Sequence, residues 1–259
     1  MPNGSTIPYI SGQAIRRMLR DRLEDLGCPL SDPFVNVDGQ EVVPPVRPWE
    51  FVDEDLFGYL DPSGGRRRTS PVRVSAAVGL FPFQGDRDLG TRSFERFGKA
   101  MAAGGNMFET ELYANLFKEL GEDSERSVPP DERKKRLQTL LEALNLLWGG
   151  GRTARMLVDL SPRFIAYTRL KVKHPVFLEA LAAHYEDGAY VLELEPLVNA
   201  LKKFESYREQ TLFGLEPGIF DNEQEIRVTL GTYGPVFTMH EALAKAKKDV
   251  GELWSGSSS

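Results

Sequence analysis

Between residues 11 and 26, apolar side chains fall at Ile15, Met18, Leu19, Leu23 and Leu26. This is the three-and-four spacing of a buried helical stripe, and Ser11 stands where an N-cap belongs. The pattern predicts a helix from Gly12 to Leu26. A clearer helix is predicted over 131–148, "DERKKRLQTLLEALNLLW": Pro129 and Pro130 precede it, and Leu137, Leu140, Leu141, Leu144 and Trp148 form its buried face. Gly149 to Gly151 stop it. "HPVFLEALAAHY" and "PLVNALKKFESYRE" read as two more helices, and Thr238 with Glu241 gives capping-box spacing ahead of "MHEALAKAKKDV".

The remaining apolar positions predict strands and turns. "VNVDGQEVVPPVRPWEF" breaks its β-branched runs with Asp-Gly and three prolines, giving strand fragments and loops, and "DEDLFGYLDPSGG" reads as a turn-rich acidic piece. In "RRRTSPVRVSAAVGLFPF", Val72, Val74 and, one step out of phase, Val78 and Leu80 predict an extended strand. Its expected partner is "NMFETELYANLF", where Phe108, Thr110, Leu112 and Ala114 alternate with Glu109 and Glu111. The connection between them, "QGDRDLGTRSFERFGKAMAAGG", is long, glycine-rich and charged, so the pair reads as a long hairpin with a projecting tip. Further strands are predicted on either side of Ser161-Pro162, over "AYVLELE" and over "EIRVTL", and residues 255–259 read as a flexible tail. Helices and strands interleave without a βαβα rhythm, which predicts an α+β fold with an antiparallel sheet.

Composition fits one large domain with insertions: 259 residues, 41% hydrophobic and 27% charged. Cys28 is the single cysteine, so neither disulfides nor a cysteine zinc cluster organises the fold. With no apolar run of membrane-spanning length and no leader-like start, the expectation is a cytoplasmic protein without membrane contact. The net charge of −6 argues weakly against nucleic acid, but its distribution alters that picture. Seven acids and only Arg47 lie between Asp38 and Asp61; eight bases and three acids follow from Arg66 to Lys99; six bases and Asp159 lie from Arg152 to Lys173. Separated basic blocks are expected to give a positive groove on one face and negative surface elsewhere.

The candidate chemistry follows these blocks. His174, His184 and His240 read as surface or helix-end residues without metal-ligand spacing. Asp86 and Asp88 in "GDRDLG", beside Arg87 and Arg92, form either a turn or a pair able to hold Mg²⁺ with substrate phosphates, the turn being favoured. "GGGRTAR" lacks the lysine and hydroxyl of a P-loop, yet its backbone N–H groups with Arg152 and Arg155 suit a phosphate chain. Arg66, Arg67, Arg68 and Arg73 flank Thr69 and Ser70, the residue types that contact phosphate and sugar. In the first helix, Arg16, Arg17 and Arg20 crowd the start while Asp21, Glu24 and Asp25 crowd the end. A helix dipole disfavours that order by about 0.3–1 kcal/mol per charge. Single-stranded nucleic acid crossing the helix start, met by Ser11, Gln13 and those arginines, accounts for it.

"PYISGQAIRRMLRD", "DLFGYL", "RRRTSPVRVSAAVGL", "GDRDLGTR", "NMFETELYANLF" and "LNLLWGGGRTARMLVDLSPRF" follow one another in an order that resembles the DevR autoregulator family. These are CRISPR-associated backbone subunits of type I Cascade, within the RAMP superfamily. The resemblance covers most of residues 8–240. It implies a modified ferredoxin-like (RRM-like) palm forming one domain over 1–254, with a finger or web-like insertion at 28–75 and a thumb loop at 84–106. It also implies a non-catalytic protein without cofactor. Several copies would polymerise along one guide RNA beside other Cascade subunits in the prokaryotic cytoplasm, presenting the bases to target DNA. Carried over by position, the guide would be held by Ser11, Gln13, Arg16, Arg17, Arg20, Arg66, Arg67, Arg68, Arg73, Arg87, Arg92, Gly150, Gly151, Arg152 and Arg155. Family members begin with an extra strand before the segment matching Pro8; seven residues precede it here, so the expectation is a palm short of one strand.

Two other readings stand beside it. Type III relatives of the RAMP type cut RNA with an acid on the thumb loop, which makes a metal-dependent ribonuclease using Asp86 or Asp88 the alternative. A DNA-binding repressor, as the family name suggests, is not supported, because no helix-turn-helix pattern is present.

Overall fold

The first helix, α1 (Gly12–Asp25), forms as its pattern predicts. The Ser11 hydroxyl accepts the Ala14 N–H at 3.2 Å, satisfying one of the open N–H groups of the first turn. Leu19 and Leu23 are buried, with Ile15 and Met18 packed beside them. The strand before it, β1 (Tyr9–Ile10), pairs antiparallel with a distant segment, β6 (Ala77–Val78). The computed structural model describes residues 7, 9–35, 39, 42–62, 64–80, 116–118, 125–149 and 158–253.

Two short hairpins flank a second helix: β2 (Phe34–Val35) with β3 (Val42–Val43), and β4 (Tyr59–Asp61) with β5 (Arg66–Arg68). Between them lies α2 (Val52–Phe57), in which Asp53, Glu54 and Asp55 are buried along with Val52 and Leu56. Its apolar side joins α1 and α3 (Pro130–Asn145) in a first core of Leu19, Leu23, Val52, Leu56, Ala143 and Leu147. Each acid has its own partners. Asp53 accepts from Arg20 at 2.8 Å and from the Ser31 N–H and hydroxyl at 2.8 and 2.6 Å. Glu54 accepts from the Val46 and Arg47 N–H groups at 3.0 and 2.5 Å. Burial raises its pKa above the ordinary carboxylate value, and those two donors offset part of that rise. Asp55 lies between Arg68 at 2.6 Å and Arg136 at 2.8 Å. Arg136, itself buried, also donates to the Pro48 and Trp49 carbonyls at 2.8 and 2.9 Å. Asp61, fully buried, takes Arg66 at 2.8 and 2.5 Å.

The C-terminal half is built on a three-stranded sheet in the order β11 (Phe164–Leu170), β14 (Arg208–Leu215), β15 (Val236–Phe237). The first pair is antiparallel and the second parallel. Phe164, Ala166, Phe213 and Leu215 form a second core with α4 (Leu194–Lys203) and α5 (Glu223–Gly231). The alternate residues face α6 (Met239–Glu252), which opens with the capping box of Thr238 and Glu241. There Tyr167 donates to Asp249 at 2.7 Å; burial first, and then this bond, holds the phenol pKa well above its ordinary value. Arg169 reaches the same carboxylate at 2.7 Å. On its other side α6 meets α3, through an ion pair of Lys247 with Glu142 and a bond from Gln138 to the Lys247 carbonyl at 2.9 Å. It therefore ties the two cores together. Three hairpins complete the described chain: β7 (Leu116–Lys118) with β8 (Glu125–Ser127), β9 (Trp148–Gly149) with β10 (Val158–Asp159), and β12 (Ala182–Glu186) with β13 (Ala189–Glu193).

The fold is mixed α+β with small, mostly antiparallel sheets, and six α-helices lie among the described residues. None of those helices is long and apolar enough to cross a membrane. Several expectations are corrected. The acidic piece "DEDLFGYL" contains a helix, not turns, because its acids are neutralised from three directions. The strand expected over 66–80 is divided, β5 pairing with β4 and β6 with β1; Phe108 to Ala114 lie outside the described residues. Trp148 lies beyond α3, in a strand, and is 42% exposed. Residues 182–186 form a strand instead of a helix, because Asp187 and Gly188 (φ 49° and 89°) make a tight turn that folds them onto β13. "EIRVTL" is α5, with Ile226 and Leu230 buried four apart. Strand β14 forms where no strand was expected.

Replacing Asp55 with alanine leaves the buried Arg136 with only the half-exposed Glu132 as a charge partner and takes the carboxylate from Arg68, so Asp55→Ala is expected to cost about 3–5 kcal/mol in urea unfolding. Glu50→Ala, which removes an exposed pair with Arg47, should stay within about 0.5 kcal/mol of the parent. A cost below about 1 kcal/mol for Asp55→Ala would mean that the acids of α2 do not organise this half. Thr238→Ala, which removes the cap of α6, should cost about 1 kcal/mol.

Candidate nucleic-acid interface

The start of α1 lies against the segment after β5. A Cβ on Gly12 would stand 2.3 Å from the Val74 carbonyl oxygen, so only glycine allows this approach. Val72 and Val74 turn into the first core, which leaves Arg73 and Ser75 exposed on the alternate side. This segment forms one wall of an open groove of about 1750 Å³; β11 and residues Lys173 to Ala183 form the rest. Its polar lining includes Ser70, Arg73, Ser75, Thr168, Lys173 and His174, with Glu179 the one acid. The apolar lining includes Val74, Val78, Leu170, Phe177 and Leu181. Arg73 and Lys173 have no hydrogen-bond or ion-pair partner among the described residues. His174 packs its ring on Phe204 at 4.3 Å between centroids. The groove thus combines two cations without a partner among the described residues, hydroxyls and apolar surface, a mixture of the kind that suits a sugar-phosphate chain and unpaired bases.

The residues singled out from sequence divide into three groups. Arg16, Arg67 and Arg73 have no internal partner among the described residues, and Gln13 is exposed. Arg17 is half-exposed and pairs with Asp21 at 2.9 Å on its own helix. These residues, with Ser11, remain available to a ligand. Arg20, Arg66 and Arg68 are instead bound to Asp53, Asp61 and Asp55, and Arg20 also donates to the Ser31 carbonyl. Arg20 thus has an internal reason for its place near the helix start. Arg87, Arg92, Gly150, Gly151, Arg152 and Arg155 lie outside the described residues, as do Asp86 and Asp88. The structure brings Arg73 into one groove with Lys173 and His174, which the sequence separates by about a hundred positions.

The charge map is also corrected. The acidic block between Asp38 and Asp61 was expected to form negative surface, yet Asp53, Glu54, Asp55 and Asp61 are buried. His240 is exposed after its cap, as expected; His174 is exposed too, but it precedes the turn at residues 176–179 and starts no helix. His184 lies on a strand and not a helix, 3.4 Å from Glu186 and Glu193. No group of three potential metal ligands occurs among the described residues. Lys173 and Thr168 carry no motif that would mark them as site residues; their one signal is the excess of bases from Arg152 to Lys173. No protein-family model matches the chain, and no curated protein sequence matches it significantly.

The division of arginines can be measured. Arg20→Ala strands a buried carboxylate and should lower unfolding stability by about 3 kcal/mol, whereas Arg16→Ala should change it by less than about 0.5 kcal/mol. Equal effects would mean that the two arginines do not differ in role.

Proposed function

We propose that the protein is a non-catalytic, RNA-binding structural subunit of a CRISPR type I interference complex, copies of which line a guide RNA and present it to target DNA. The observation that carries this reading is the groove beside the start of α1, whose cations Arg73 and Lys173 have no carboxylate partner among the described residues. The fold neutralises three buried acids, Asp53, Asp55 and Asp61, with four of its own arginines. Arg73, Lys173, Arg16 and Arg67 have no such partner among the described residues, which leaves their positive charge open to an outside anion. The order of motifs resembling the DevR family names that anion as guide RNA. In this reading the three-stranded sheet belongs to a modified ferredoxin-like palm, residues 28–75 are the finger insertion, and residues 84–106 are the thumb. Contacts through backbone phosphates leave base edges open for pairing, which is what a guide-holding subunit requires.

The test is a titration of labelled single-stranded RNA of guide length, resolved on native and denaturing gels with Mg²⁺ and with EDTA. Shifted bands in both conditions with the RNA intact are expected. Arg73→Glu with Lys173→Glu should weaken binding at least about tenfold and flatten the salt dependence by roughly 0.7 for each phosphate no longer neutralised. Undiminished affinity in that double variant would remove the groove from the reading. Mg²⁺-dependent fragments abolished by Asp86→Ala or Asp88→Ala would replace it with the ribonuclease.

A further inference from the structure

Beyond the groove, an aromatic side chain is held open on the far part of α1. Arg22 is buried, at 8% exposure, yet its Nε has no hydrogen-bond partner among the described residues. Its guanidinium carbon stands 4.2 Å over the ring of Trp148, and it pairs with Asp25 at 3.0 Å. An aliphatic residue would fill this position without an unsatisfied donor, so the arginine is not explained by core packing. It is explained by what it does to the indole: a cation over one ring face fixes the ring in place. With a cation against one side of the ring, 42% of Trp148 still reaches solvent. The backbone is fixed as well, because Trp148 pairs with Asp159 across β9 and β10, and Leu147 just before it is buried in the first core. Part of a large, flat ring, held by its neighbours, thus reaches solvent.

We propose that Trp148 is a stacking platform for one unpaired nucleobase of the bound strand, with Arg22 as the positioning residue behind it. The proposal rests on the RNA-binding reading above and adds a base contact to the phosphate contacts. Arg22 lies ten residues along α1 from Gly12, a rise of roughly 15 Å at about 1.5 Å per residue, on the side of the helix that carries Leu19 and Leu23. A rise of that size is within the span of a few nucleotides of single strand. Every base has a π-face, so the platform holds its base without reading sequence.

The experiment uses the full chain with Trp49→Phe and Trp254→Phe, which leaves Trp148 as its only tryptophan. Single-stranded RNA and an abasic oligonucleotide of equal length are titrated while indole emission and binding are both followed. The expected result is quenching by RNA, none by the abasic strand, and RNA affinity about tenfold weaker in Trp148→Ala with an unchanged salt slope. Trp148→Phe should recover part of that affinity, and Arg22→Met should reduce quenching, since the ring then has no cation behind it. RNA that binds normally without quenching, with Trp148→Ala equal to the parent, would overturn the platform while leaving the groove intact. No binding by any variant would overturn the RNA-binding reading and the platform with it.

Discussion

The arrangement on which the rest of the N-terminal half depends is the pair of guanidiniums that close on Asp55. One comes from β5 and the other from α3, so a single carboxylate fixes the relation of a hairpin, a short helix and a long helix. Buried ion pairs contribute little net stability, because desolvation cancels most of the attraction. Their geometry is nevertheless demanding, and a wrong register would leave a charge buried without a partner. Asp53 and Asp61 repeat the device toward α1 and within the β4–β5 hairpin. The apolar residues of this core supply most of the cohesion, and the acids select one arrangement of it.

That selection also determines where positive charge remains. Four arginines are bound to buried acids, while neighbours in sequence have no partner among the described residues: Arg67 between Arg66 and Arg68, and Arg16 one turn before Arg20. A basic run is therefore a poor guide to a basic surface. In "RRR", alternation along the strand sends the middle residue to solvent while the outer two turn toward buried carboxylates.

Helices with strong ends were legible: α1 through Ser11, α3 through its prolines and leucine face, and α6 through the Thr238 and Glu241 box. Where the pattern misled, an identifiable force had overridden local preference. Residues 182–186 contain alanines that favour a helix, but the Asp187-Gly188 turn returns them along β13; the Asp-Gly pair was the visible signal. In α5 the β-branched residues suggested a strand, while Ile226 and Leu230 had helical spacing, and Val228 between them is 63% exposed. Helix α2 was illegible because its buried face is acidic, which inverts the usual code of apolar inside and polar outside. The groove was legible only as an excess of bases, since its two walls come from segments about a hundred residues apart.

The separation of Asp55 from Arg136 has a consequence in time as well as in space. The two charges are 81 residues apart in the chain. At a synthesis rate of about 5–20 residues per second, roughly 4 to 16 s pass between their emergence from the ribosome. Throughout that interval α2 is six residues long, far below the length at which a helix holds by itself, and lacks the second of the two arginines that close on Asp55. The segment that organises the finished half therefore cannot nucleate it. Its arrangement is complete only when α3 is made.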